Sequence, residues 1–113
     1  MFMDTLTIIF YKTKTGRQPF TDWLDKLDKQ VKVIVASRID RVSLANFGDC
    51  KSIKGARGIY ELRIDYGAGY RIYYAKKQDT IVILLVGGDK KSQNRDIEKA
   101  KQYWLDYKES ENG

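Results

Sequence analysis

Ile59-Tyr60-Glu61-Leu62-Arg63-Ile64, the turn Asp65-Tyr66-Gly67-Ala68-Gly69, and the run Tyr70-Arg71-Ile72-Tyr73-Tyr74-Ala75 decide the fold. Successive side chains of a strand point to opposite faces, so Tyr60, Leu62 and Ile64 share one face while Glu61, Arg63 and Asp65 share the other. The second run repeats the pattern, with Tyr70, Ile72 and Tyr74 opposed to Arg71 and Tyr73. Two such runs around a glycine-bearing turn predict a hairpin. A one-residue slip would drive an arginine into the core among Leu62 and Ile72, so Arg63 and Arg71 should share a face. That requires a connection with an odd number of residues, about three or five.

Outward from the hairpin, Thr80 to Val86 is apolar at nearly every position and reads as a central strand covered on both faces. Gly87-Gly88-Asp89-Lys90-Lys91 follows as a flexible basic loop. Ser92 is placed to cap a last helix in which Ile97, Ala100 and Trp104 line one face, with Lys99, Lys101 and Lys108 away from it and a frayed tail beyond Lys108. Towards the N-terminus, Leu6 to Tyr11 is β-branched and aromatic, so the apolar run Met1 to Phe10 reads as a strand and not as a signal. Pro19, the sole proline, suits the first position of a short helix, Phe20 to Leu27, whose Phe20, Trp23, Leu24 and Leu27 form a core stripe. Asp28 is placed to cap a second helix with Val31, Val35, Ile39 and Val42 on its inner face, ending near Asn46 to Gly48. Lys29, Lys32, Arg38 and Arg41 fall on its solvated side. The expected architecture is α+β: residues 1–113 as a single domain, an antiparallel meander with an extra N-terminal strand, two N-terminal helices and one C-terminal helix.

Composition narrows the function. A formal net charge of +6, from 21 Lys and Arg against 15 Asp and Glu, favours a polyanionic partner. The single cysteine, Cys50, permits no internal disulfide and fits a reducing cytoplasm. No apolar stretch approaches the roughly 20 residues that span a bilayer, so no membrane partner is expected. The sequence contains no histidine, which removes the usual general acid–base near neutral pH and the usual zinc ligands; no cofactor or metal is expected.

Arg63, Arg71 and Tyr73 fall opposite the apolar set, leaving a basic concave sheet face. Two guanidinium forks there could clamp a phosphate, or could pair with Glu61 and Asp65 in a solvated ion-pair ladder. The loop Asp89-Lys90-Lys91 feeds a helix N-terminus, where free N–H groups and the helix dipole favour an anion. Tyr73 and Tyr66 are candidates for stacking on an unpaired base, and Lys91 and Arg95 for holding RNA.

The order and spacing of Pro19-Phe20, Trp23-Leu24, Asn46-Phe47-Gly48-Asp49, Glu61-Leu62-Arg63-Ile64, Tyr66 to Tyr73 and Gly87-Gly88-Asp89-Lys90 to Gln93 resemble the phage-derived addiction-module killer proteins, a HigB-like branch of the RelE/ParE toxin superfamily. The resemblance covers Leu6 to Tyr107. It implies the toxin of a type II toxin–antitoxin pair, bound by a cognate DNA-binding antitoxin and cutting mRNA on the ribosome. It makes Arg71, in Gly69-Tyr70-Arg71, the counterpart of an essential arginine, with Arg63 and Lys90 as the nearest matches to further basic residues. Ile59 and Glu61 stand where the best-known RelE pattern has two lysines.

The site expected on these grounds has Arg71 and Arg63 on the phosphate, Lys90 or Lys91 adding charge, Asp89 as the general base and Tyr73 as a stacking platform. The rival reading is a ParE-like protein that poisons DNA gyrase by binding alone.

Overall fold

The computed structural model describes residues 5–112, so Met1 to Asp4 of the apolar N-terminal run lie outside it. In chain order the elements are β1 (Thr7–Phe10), α1 (Pro19–Asp25), α2 (Lys29–Ser43), β2 (Cys50–Ser52), β3 (Ile59–Ile64), β4 (Tyr70–Lys77), β5 (Ile81–Asp89) and α3 (Gln93–Asn112). The five strands form one sheet in the order β1-β5-β4-β3-β2. β2 to β5 run antiparallel, whereas β1 pairs with β5 in parallel, Thr7 opposite Ile81 and Phe10 opposite Leu84. The α+β architecture, the meander and the three helices match expectation. The three-residue β2, half polar and too short to show a period, was not foreseen.

The hairpin β3–β4 has the register the alternation requires. Leu62 lies opposite Ile72 and Arg63 opposite Arg71, across a five-residue connection, 65–69, in which Gly67 and Gly69 take positive φ of 54° and 75°. Five is odd, so the two arginines share a face.

Both faces of this sheet are covered. On one, α1 and α2 bring Phe20, Val31, Val35 and Val42 onto Leu62, Ile64, Ile72, Tyr74, Val82 and Leu84. On the other, α3 brings Ala100, with Ile97, Tyr103, Trp104 and Tyr107 around it, onto Ile59, Tyr73, Ala75, Ile83, Leu85 and Val86. The face that carries Arg63 and Arg71 is therefore a second core for most of its area, and the expected open concave face is corrected. A buried side chain the size of Leu or Ile gains about 1.5–3 kcal/mol from leaving water, which holds α3 down.

One irregularity aims the site. The β4–β5 register shifts between Tyr73 and Tyr74, so Leu85 is an extra residue: Tyr74 faces Leu84 and Tyr73 faces Val86. A bulge of this kind reverses side-chain parity beyond it. Ile83 and Leu85 pack under α3 before it, Val86 does so after it, and Gly88 comes to lie opposite Arg71 on that face. Gly87 then meets α1, where a Cβ would sit 2.2 Å from the Trp23 ring; at Gly88 a Cβ would sit 1.8 Å from Asp96 Oδ2. These glycines are not a flexible loop, as expected, but the end of β5, and each lacks a side chain because a helix occupies its place.

Several helical details also differ. α2 ends at Ser43, earlier than expected, because Ala45 turns the chain with φ of 64°, and the Asp28 side chain makes no capping bond. Arg38 is not simply solvated: it donates to the Arg63 carbonyl at 3.0 Å and to the Phe47 carbonyl at 3.3 Å, tying α2 to the hairpin. α3 does not fray after Lys108 but continues to Asn112, where Glu111 pairs with Lys77 of β4.

Candidate nucleic-acid interface

At the open end of the α3 face lies a buried carboxylate, one that the sequence offered, as one of two alternatives, to a solvated ladder. Glu61 is fully buried. Its Oε1 accepts from Arg63 Nε at 2.9 Å, its Oε2 accepts from Gln93 Nε2 of α3 at 2.8 Å, and Arg71 Nε lies 3.6 Å from Oε2. Asp65 takes no part in these pairs. Burial alone would push the Glu61 carboxyl up, but the hydrogen bonds from Arg63 and Gln93 outweigh it and hold the group below its ordinary value.

Arg71 completes its anchorage by donating from Nη1 to the Gly69 carbonyl at 2.9 Å, and its side chain is 12% exposed. Arg63 is 37% exposed and supplies the more open guanidinium. A Cβ at Gly69 would lie 3.5 Å from Arg71 Nη1 and 3.7 Å from Lys90 Cβ. Lys90 therefore flanks Arg71, as expected of the loop, and its side chain is exposed. Two arginines tied to one carboxylate leave a net positive charge, and Lys90 adds another.

The stacking role expected of Tyr73 is corrected. Tyr73 shares the arginine face but has no exposed surface, lying under α3 among Ile59, Ala75 and Leu85, so it has no ring face for a base. Burial, with the nearby Glu61 charge second, pushes its phenol well above the ordinary value. Asp89, expected as the general base, closes its own loop: Oδ1 accepts from Lys91 N at 2.9 Å and Ser92 N at 3.1 Å. The expected cap, Ser92, points elsewhere, its hydroxyl hydrogen-bonded to Asp96 Oδ2. Tyr66, at the hairpin tip, is 39% exposed.

Lys91 and Arg95 are exposed but turn away from the arginine pair. They line a cleft of about 590 Å³ between α1 and α3 that contains neither Arg63 nor Arg71. The arginine cluster is a surface patch and the cleft is a separate feature.

Glu61 and Gln93 escaped the sequence reading as site residues. Alternation did put Glu61 beside both arginines, but its complete burial depends on where α3 lies, and no local spacing announces a contact from Gln93 across 32 residues of chain.

The mixed five-stranded sheet with two helices on one face and one on the other is a RelE-like fold. The structure of E. coli toxin RelE, an arginine-to-alanine double variant in the free state, superposes with a TM-score of 0.63 over 86% of this chain and 94% of that one, at 13% identity. Residues 22–104 match the phage-derived Gp49-like protein family, and the chain belongs to that family. An uncharacterized protein of Haemophilus influenzae is 48% identical over 83 residues, which cover 73% of this chain and 82% of that protein.

Proposed function

We propose that this protein is the toxin of a type II toxin–antitoxin pair and that it halts translation by cutting mRNA on the ribosome, its cognate antitoxin holding it inactive. The observation that carries the reading is the convergence of Arg63, Arg71 and Lys90 at one end of the sheet, beside the start of α3. The RelE-like fold and the net charge of +6 support it.

In cleavage of this class the ribose 2′-oxygen gives up its proton to water and bonds to phosphorus while the bond to the 5′-oxygen breaks and that oxygen takes a proton from water, leaving a 2′,3′-cyclic phosphate, so charge builds on the phosphoryl oxygens in the transition state. In this reading Arg63 and Lys90 meet those oxygens from the exposed side, and the half-sheltered Arg71 lends its remaining N–H groups. Tyr66 offers a ring for a flanking base, and Lys91 and Arg95 receive RNA further along. Because Glu61 fixes both forks before substrate arrives, little reorganisation is needed as charge develops. Alignment and charge supply the rate, and Asp89 keeps the loop in place.

The same Glu61 favours a second reading. A carboxylate that occupies both guanidiniums leaves less charge for RNA, which suits a ParE-like binder of DNA gyrase that performs no chemistry. Incubation of the purified protein with translating ribosomes and mapping of mRNA 5′ ends separates the two. New ends within the ribosomal A-site codon support cleavage; intact mRNA together with loss of gyrase supercoiling activity transfers the case to the binder.

A further inference from the structure

We infer that the hollow between the β2–β3 loop, residues 53–58, and the C-terminal half of α3 is a separate base site for RNA. One unpaired base enters it against Trp104 while the flanking phosphates lie on Arg57 and Lys108. The inference rests on the RNA reading and extends its surface away from the arginine cluster.

The hollow is apolar below and basic above. It encloses about 220 Å³, with the buried Ala56 and Ile59 as its floor and Trp104 and Leu105 as its wall. Leu105 is 55% exposed, so this wall is apolar yet open to solvent. Glycines keep the loop side clear. A Cβ at Gly55, where φ is 82°, would meet nothing within 4 Å, and at Gly58, where φ is 84°, it would come within 3.0 Å of Trp104 Nε1. The loop backbone therefore reaches the indole edge with no side chain between. Tyr107 stacks on Trp104, with centroids 5.7 Å and planes 14° apart, and fixes the indole. Lys108 holds its ammonium 5.2 Å over the same ring. A phosphate offers that ammonium a full charge, so an entering nucleotide draws Lys108 to the rim and leaves the indole to the base.

Size and charge select the occupant. A volume below the roughly 300 Å³ at which sites enclose a whole small ligand suits one ring system, with the rest of its nucleotide outside. Bound alone, such a nucleotide would hold weakly; as part of a strand already at the arginine cluster, its capture becomes intramolecular. A basic path joins the two places. Lys51 lies opposite Glu61, hence on the arginine face, and is exposed; Lys54 and Arg57 follow it, exposed, on the loop. Lys51, Lys54, Arg57 and Lys108 have no ion-pair partner among the described residues. Asp49 at the Arg63 end and Glu98, paired with Lys101 at 3.1 Å, leave the balance positive. From Arg63 back to Ile59 the strand covers about 13 Å. That is about four nucleotides at the stacked spacing of roughly 3.4 Å. An acidic protein segment would answer the cations without supplying a flat ring for the indole.

The probe is 2′-O-methyl decaadenylate, which lacks the 2′-hydroxyl that cleavage needs, added to the full chain at low salt with affinity read by fluorescence anisotropy. It should bind about tenfold or more tighter than the matching tetramer. Arg57→Gln with Lys108→Gln, both exposed positions, should remove that advantage and leave tetramer binding within about twofold. A decamer without bases should lose the advantage too, and a decamer carrying one 5-iodouridine should photo-crosslink to the peptide that contains Trp104. Decamer binding that is weakened by Arg63→Ala but ignores the double substitution, with no cross-link at Trp104, overturns the inference and leaves the RNA reading standing. Failure of both oligomers to bind removes that reading and the inference with it. Hexaglutamate displacing the decamer as readily as hexaadenylate does overturns it in favour of an acidic protein partner.

Discussion

Two carboxylates are buried beneath α3, and the protein holds them in opposite ways. Glu61 takes two charged partners and an amide, and its carboxyl lies below the ordinary value. Asp96, packed against Gly88, is met by one hydroxyl, that of Ser92; burial pushes it above the ordinary value, more than the Ser92 hydrogen bond and the Arg95 and Lys99 charges draw it down. The contrast separates two uses of burial. At Glu61 the ionised form organises the arginine pair. At Asp96 the carboxyl serves to seat the first turn of α3 on the sheet.

The largest effect should come from removing the better-held acid. Glu61→Ala leaves Arg63 and Arg71 facing each other across the hairpin with no anion between them, at a cost of about 3 kcal/mol in unfolding free energy. Glu61→Gln should lose less, since an amide oxygen still accepts one bond. Denaturation with urea checks both, and a loss below about 1 kcal/mol for Glu61→Ala would show that solvent already screens the cluster.

Arg71→Ala tests the same cluster from the cation side. On the cleavage reading the rate on ribosome-bound mRNA should fall about 10²-fold or more, by analogy with loss of one oxyanion donor. Lys at this position should restore only part, because one ammonium cannot hold Glu61, the Gly69 carbonyl and a phosphate at once. Stability should fall only modestly, since Arg63 and Gln93 continue to satisfy Glu61. A folded Arg71→Ala protein that cuts at the wild-type rate moves the phosphate site to Arg63 and Lys90.

The contrast also explains what the sequence could tell. The hairpin register and the odd length of its connection followed from period-two alternation, because burying Leu62 and Ile72 leaves only one parity for Arg63 and Arg71. The helical stripes of Val31, Val35 and Val42 and of Ile97, Ala100 and Trp104 were legible from their three- and four-residue spacing. What alternation could not show is what lies above a face. Tyr73 was assigned to base stacking on parity, and α3 overturns that by covering its ring. The Leu85 bulge was equally silent: Thr80 to Val86 is apolar throughout, so no polar residue marked where parity changes. Gly87 and Gly88 carried the signal, since adjacent glycines at the end of a buried strand can mean that two helices approach as well as that the chain is free.

pH should set the two carboxylates against each other. A group whose folded pKa is depressed gives stability that is present above its unfolded value and lost as pH falls through the folded one, so the Glu61 contribution disappears in acid, below 4.5. Stability of the wild-type protein should therefore drop on acidification, and Glu61→Gln should flatten that drop when urea midpoints are compared between pH 7 and pH 3.

The smallest effect belongs to Asp96, and it should run the other way. A carboxyl with a raised folded pKa favours the folded state while protonated, and that advantage is lost as pH rises from the ordinary value of 3.8 through the folded one. Asp96→Asn keeps an oxygen for the Ser92 hydroxyl and abolishes the ionisation. It also gives up a negative charge in the first turn of α3, which is worth about 0.3–1 kcal/mol. The substitution should therefore change stability by no more than about 1 kcal/mol near pH 7, with the dipole loss offsetting the relief of a buried charge. Its difference from wild type should shift towards stabilisation as pH climbs from 4 to 7, and paired urea titrations at those two values read that shift directly. A difference that moves towards destabilisation over the same range would mean that Asp96 is held in its ionised form, and the two acids would then be alike.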